Sequence, residues 1–191
     1  MIEKHQLRKA MRARRKAHSA AIPESVRALL FLRPPVPVAA MIPEGDTVGL
    51  YLATGGEAPA TRYAQWLIEN GRNLALPAFS SRDAPMEFRA WRDPFGLGDI
   101  VDGPFGLRQP ADDAPRVTPG TLIVPLVAFN ARCERLGQGA GHYDSWIAAH
   151  SGVTTIGLAW DCQLVDEIPT EPHDVALDAI VTETRFYERA G

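Results

Sequence analysis

Cysteine is nearly absent from this chain of 191 residues, which has only Cys133 and Cys162. Two thiols so far apart form neither the short spacing of a zinc site nor a disulfide framework, so two reduced cysteines in a cytoplasmic protein are expected. Long apolar runs are missing too. No stretch reaches the roughly eighteen residues that a membrane helix needs, and no membrane partner is expected. The opening MIEKHQLRKAMRARRKA lacks the apolar core and cleavage site of a secretory signal, and its lack of serine counts against a transit peptide. No glycine loop ends in G-K-[ST], which excludes the usual phosphate loop. No internal repeat and no obvious catalytic nucleophile stand out.

The residues that are present suit one globular domain spanning 1–191, since 46% of them are hydrophobic. The net charge of −3 conceals an asymmetry. Residues 1 to 18 hold seven Lys or Arg and a single acid, leaving thirteen basic against twenty-two acidic residues elsewhere. A basic segment on an acidic body points to an anionic partner near that end. No interleaved aromatics accompany it, so a phosphorylated small molecule fits better than nucleic acid.

Residues 3–18 are strong helix formers. Helical spacing puts Lys4, Arg8, Met11 and Arg15 on one face with Leu7 beside it, a pattern that is either a solvated basic face or a grip for polyphosphate. PESVRALLFL reads as a second helix, ended by the proline-rich RPPVPVAAMIP. DTVGLYLA (46–53), NLALPAF, APMEFRAW (84–91), TLIVPLVAF and VTTIGLAW read as strands, and a final one closes EPHDVALDAIVTE. ATRYAQWLIENG and GHYDSWIAAH read as helices, the first closed by Gly71. Trp91, Trp146 and Trp160 are expected in the core. Residues 93–120, dense in Gly, Pro and Asp, read as a long loop that is either functional or partly disordered. The alternation predicts an α/β fold, a sandwich around a mainly parallel sheet.

Between the strongest strand and its helix lies RLGQGAGHYD. Glycines at 137, 139 and 141 let the main chain approach a bulky anion, and the following helix N-terminus adds partial positive charge. Arg135 is placed to neutralise phosphate. Asp144, in the first helical turn, suits either the helix dipole or a Mg²⁺ ion carrying its own phosphate ligands.

PLVAFNARCERLGQGAGHYD resembles the signature block of the 5-formyltetrahydrofolate cyclo-ligases (5,10-methenyltetrahydrofolate synthetases). KHQLR, YLATGGEAPAT, MEFRAW, PFGLRQP and EPHDVALDAIVTE follow that family's pattern in order. Departures are Val127 and Asn130, where Gly and Asp are commoner, Ala140, and His142 in place of the usual Tyr. The resemblance implies a three-layer α/β/α sandwich, Rossmann-like and similar in topology to sugar-phosphate isomerases and CoA-transferases. It implies ATP- and Mg²⁺-dependent closure of 5-formyltetrahydrofolate to 5,10-methenyltetrahydrofolate in a cytoplasmic monomer or weak homodimer. ATP would then meet Lys4, Arg8, Arg135, Leu136, Gly137, Gln138, Gly139, Ala140, Gly141, His142 and Tyr143. The reduced folate would meet Leu52, Glu57, Phe105 and Tyr143, with Met86 a further candidate for the ligand wall. Asp144 and Asp174 would hold the metal, with Asp178 the competitor for the second position, and Arg135 and Tyr143 would serve the chemistry. Other readings are a non-catalytic folate or nucleotide binder, and an isomerase- or transferase-like enzyme that uses no ATP.

Overall fold

The run TLIVP places β-branched and leucine side chains alternately on the two sides of one strand, and the architecture grows outward from it. The computed structural model describes residues 3–96, 98–171 and 174–190. Helix α1 spans Lys4–Ala21 and stops where Ile22 turns extended ahead of Pro23. α2 (Glu24–Arg27) and α3 (Val36–Ala40) follow, then strand β1 (Thr47–Gly49). A 3₁₀ turn, Ala60–Tyr63, runs into α4 (Ala64–Glu69) before β2 (Asn73–Ala78) and β3 (Glu87–Ala90). Then come β4 (Ile100–Asp102), β5 (Arg108–Pro110), β6 (Arg116–Val117), β7 (Thr121–Pro125), β8 (Ala128–Phe129) and β9 (Arg135–Leu136). α5 (His142–Ala149), β10 (Thr154–Leu158), β11 (Ala179–Val181) and β12 (Phe186–Glu188) complete the order.

Eight strands form the main sheet in the order β12-β11-β10-β7-β1-β2-β3-β6. The five from β11 to β2 are parallel, and β12, β3 and β6 attach antiparallel at the flanks. The strand alternation feeds two cores. Ile123, Ile156 and Leu158 point to the side of Val38, Tyr63 and Leu67. Leu122 and Val124 point to the side of Trp146 and Ile147 of α5. Helices thus cover both faces, giving the expected three layers, and Trp91, Trp146 and Trp160 are all buried. A third, smaller cluster joins Met11 and Leu7 of α1 to Val127, Ala128 and Leu136 at the β8–β9 hairpin.

Three stretches differ from expectation. The helix anticipated over 23–32 ends after one turn because Val26, Leu29 and Leu32 stay exposed, while Phe31, at φ 58°, turns inward against Trp160. The proline-rich segment carries a helix instead, α3, with Pro35 as its N-cap and Pro37 in its first turn, where a missing N–H costs nothing. Residues 93–120 are no plain loop. β4 pairs β5 as a small hairpin, and β6 extends the main sheet beside β3.

Packing at the sheet centre is close enough to exclude a methyl group. A Cβ at Gly49 would lie 2.5 Å from Leu122 Cδ2 and 2.8 Å from Phe88 Cε1. Gly49→Ala should cost about 1–3 kcal/mol, seen as a lower urea midpoint at unchanged slope; an unaltered midpoint would contradict this packing.

Candidate active site

The chain runs outward from β1 to β2 and β3, then returns to β7 and runs the other way to β10 and β11. The order therefore reverses between β1 and β7, and ligands of open parallel sheets bind beyond the carboxyl ends at such a point. The loop after β1 carries Leu52, Thr54 and Glu57, and the segment after β7 leads through the β8–β9 hairpin to the glycine turn.

Asn130 organises that hairpin. Its Oδ1 accepts from the amides of Arg132 (3.0 Å) and Glu134 (3.2 Å), so Asn here retains the acceptor that an Asp would supply. Arg132 and Asn130 also bond the Glu134 carboxylate, and their hydrogen bonds hold its pKa below the usual value. After Leu136 the backbone opens. Gly139 (φ 111°) and Gly141 (φ 70°) adopt the conformation that favours glycine, and Gly141 is the N-cap of α5. Ser145 donates to Gly141 O, so the amides of His142, Tyr143 and Asp144 form the unpaired first turn. Among the described residues no acceptor takes the amides of Gly137 to Gly141 either.

Helix α1 lies across this turn. Arg8 Nε donates to Gly137 O at 3.0 Å, and Arg12 Nη2 to Gln138 O at 2.7 Å. Arg15, 3% exposed, reaches Leu126 O (3.2 Å), Gly55 O (3.3 Å) and Glu57 Oε1 (3.5 Å). It thereby ties the ends of β7 and β1 together. Lys4 Nζ sits 2.6 Å from Asp174 and 2.9 Å from Glu171. Burial works against its charge, yet the hydrogen bonds and attraction of those two acids raise its pKa overall.

Arg135 is the buried centre of the charged group. Its Nη2 donates to Asp144 Oδ1 at 2.7 Å, and its Nε is buried without a partner among the described residues. Burial lowers its pKa, opposed by Asp144, Tyr143 and Asp174. Val175 N approaches the same Asp144 oxygen at 3.5 Å, which draws the 174–175 segment against α5. A cavity of about 200 Å³ opens here between Arg135, Thr170, Glu171 and Asp174. A larger depression, about 340 Å³, lies around Gln65, Ile68 and Phe95, but its lining includes none of these charged groups. The smaller one is where the chemistry gathers.

Lys4, Arg8, Arg135, the glycine turn, Asp144 and Asp174 are thus brought together. Glu57 joins them through Gln138, whose Nε2 donates to Glu57 Oε1 at 2.7 Å. The Tyr143 hydroxyl is buried without a partner among the described residues, and burial, with Glu57 adding, holds its pKa well above the usual range. His142, Phe105 and Phe79 form an aromatic trio at 4.8–5.7 Å. Phe105 is 43% exposed at φ 65°, whereas Met86 is buried in the α5-side core. Leu52 leans, half-buried, on the opposite core. Asp178 stands apart, bonded to the Thr155 amide and hydroxyl and to Arg189 at the amino end of β10. Pro172 and His173 of the closing motif lie outside the described residues.

Sequence reasoning missed Arg12, Glu171 and Gln109. Gln109 clamps Phe79 by accepting from its N–H and donating to its C=O, both at 3.0 Å, which explains an amide before Pro110 in PFGLRQP. Helical periodicity put Arg15 on the inner face, but nothing local marks the carbonyls it meets.

The chain is thus a three-layer α/β protein whose switch point carries a cation-lined turn with open amides, an arrangement suited to an anion. A profile of the 5-formyltetrahydrofolate cyclo-ligase family matches residues 1–183. The 5-formyltetrahydrofolate cyclo-ligase of Mycolicibacterium smegmatis is 34% identical over 74% of this chain and 75% of its own. That of Escherichia coli K12 is 31% identical over 74% and 80%. A 5,10-methenyltetrahydrofolate synthetase structure from Mycoplasma pneumoniae superposes with a TM-score of 0.69 at 22% identity, covering 95% of this chain and 99% of that one. The chain belongs to the 5-formyltetrahydrofolate cyclo-ligase family, a family of enzymes of the ligase class.

Arg15→Ala should destabilise by about 1–3 kcal/mol in urea, because Glu57 loses its cation and Gly55 O its donor. Arg15→Lys should recover little, since one ammonium cannot span the carbonyls that the planar fork reaches. Stability unchanged in both variants would contradict the docking.

Proposed function

We propose that this protein converts 5-formyltetrahydrofolate to 5,10-methenyltetrahydrofolate while splitting ATP to ADP and phosphate. The observation that carries this reading is the convergence of Arg8 on Gly137 O, Arg135 on Asp144 and Lys4 on Asp174 around a turn with open amides, one side chain away from Glu57. The triphosphate lies along those amides, its charge offset by the three cations. Glu57 takes paired hydrogen bonds from the pterin N–H groups. Phe105 offers its exposed ring for stacking, and Leu52 adds an apolar contact.

The formyl oxygen attacks the γ-phosphorus and ADP leaves. N10 then attacks the activated carbon, the formyl oxygen departs within the released phosphate, and loss of the N10 proton completes the methenyl bridge. Positioning and charge neutralisation dominate such a step. Arg135, buried and already charged, stabilises the transferring group without reorganising. Tyr143, kept as a neutral phenol by burial, acts as a hydrogen-bond donor and not as a base.

Asp144 and Asp174 flank the same guanidinium and offer hard oxygen donors. Mg²⁺ needs few protein carboxylates, because it fills its remaining positions with water and phosphate. These two carboxylates would hold it, and bound there it would neutralise phosphate charge. Among the described residues no helix is long and apolar enough to cross a membrane. The reading extends to a cytoplasmic monomer or weak homodimer acting on small molecules, without nucleic acid.

Mixing the protein with ATP, Mg²⁺ and 5-formyltetrahydrofolate should raise the near-ultraviolet absorbance of the methenyl product in step with ADP release. No rise at saturating substrates would defeat the assignment. Asp144→Asn should lower turnover at least about tenfold to a hundredfold with an unchanged circular dichroism spectrum, and a full rate in that variant would remove the metal role.

A further inference from the structure

One side chain joins the nucleotide turn to the carboxylate assigned to folate, and its position obstructs that carboxylate. Glu57 Oε1 accepts from Gln138 Nε2 at 2.7 Å and, more distantly, from Arg15 at 3.5 Å. Oε2 accepts from the Thr54 amide at 2.9 Å and the Thr54 hydroxyl at 3.4 Å. The Glu57 side chain is only 7% exposed. A pterin edge needs both carboxylate oxygens for a paired hydrogen bond, and with Gln138 in place Oε1 is taken.

Gln138 is itself held from the other side. Its Oε1 accepts from Arg12 Nε at 3.1 Å and Nη2 at 2.9 Å, and its carbonyl accepts from Arg12 Nη2 at 2.7 Å. The Arg12 fork fixes the Gln138 rotamer while its own guanidinium stays at the surface. Arg8 is engaged in the same way with Gly137 O. Both guanidinium groups are therefore bound to neutral carbonyls of the turn that would receive a phosphate. A phosphate oxygen is the stronger acceptor, because its hydrogen bonds to a guanidinium are charge-assisted on both sides.

Building on the proposed function, we infer that Gln138 is a positioning residue that latches Glu57 shut, and that nucleotide phosphate opens the latch by drawing Arg12 away from it. Phosphate at the turn competes for Arg12, Gln138 loses the contacts that fix it, and the Oε1 position it fills opens to the pterin. Oε2 keeps the Thr54 amide, and the longer Thr54 hydroxyl contact can turn away from it. Nucleotide and folate then bind with positive coupling, and by linkage each raises the other's affinity by the same factor. A coupling of about tenfold lies within the usual range between two sites.

Calorimetric titration of 5-formyltetrahydrofolate, with and without a non-hydrolysable ATP analogue and Mg²⁺, tests this. The parental protein should bind folate about tenfold tighter with the nucleotide present. Gln138→Ala, a change at an exposed position, should show that tighter affinity already without nucleotide and gain little on its addition. Arg12→Leu should shift in the same direction. An unaltered nucleotide dependence in Gln138→Ala, or weaker folate binding without nucleotide, would overturn the latch. Binding of both ligands to the parental protein without coupling would overturn the latch alone, whereas binding of neither would overturn the proposed function and the latch with it.

Discussion

Arginine side chains of α1 donate to main-chain carbonyls more than a hundred residues away, Arg8 to Gly137, Arg12 to Gln138 and Arg15 to Leu126. The rest of the site depends on this docking. The apolar stripe of α1, Leu7 and Met11 against Val127 and Leu136, is small. A buried guanidinium that spans Leu126 O, Gly55 O and Glu57 supplies the orientation that this stripe cannot. It fixes the helix over the one place where the sheet order reverses. With the helix there, Lys4 reaches Asp174 and the turn beside Arg135 becomes a closed corner instead of an open loop.

The same docking explains why cations gather in a chain of net negative charge. Three classes of donor converge on one corner: guanidinium groups, an ammonium group, and amides left open by the glycines and the first turn of α5. Asp144, Asp174 and Glu171 keep the cations from repelling one another in the absence of ligand. An anion bound as proposed would exchange partners within an existing network, which limits the reorganisation that binding requires.

Much of this was legible in the sequence, and the reason differs by element. The β7 run and the RLGQGAGHYD turn announce themselves through local chemistry, apolar alternation and then bare glycines. The stripe of Met11 and Arg15 follows from helical spacing alone. The sequence implies a longer helix than α2 because Val26, Leu29 and Leu32 look like a buried face, yet all three are exposed. The β4–β5 hairpin leaves no pattern in the sequence because its strands are three residues long, too short to show a period. Asp178 and Asp174 differ only in tertiary position: Asp178 is bound at the amino end of β10, while Asp174 faces Lys4 and Arg135. The Gln138–Glu57 contact joins residues 81 positions apart, and no local pattern encodes it.

The central claim is that the amides of the 137–143 turn, under the cations of α1, receive the triphosphate. A crystal structure of the protein with Mg²⁺ and a non-hydrolysable ATP analogue tests it most directly. The account predicts phosphate oxygens within hydrogen-bond distance of those amides, of Arg135 and of Arg8, with the divalent ion against Asp144. A triphosphate bound away from the turn, with α1 still resting on the carbonyls of Gly137 and Gln138, would contradict it.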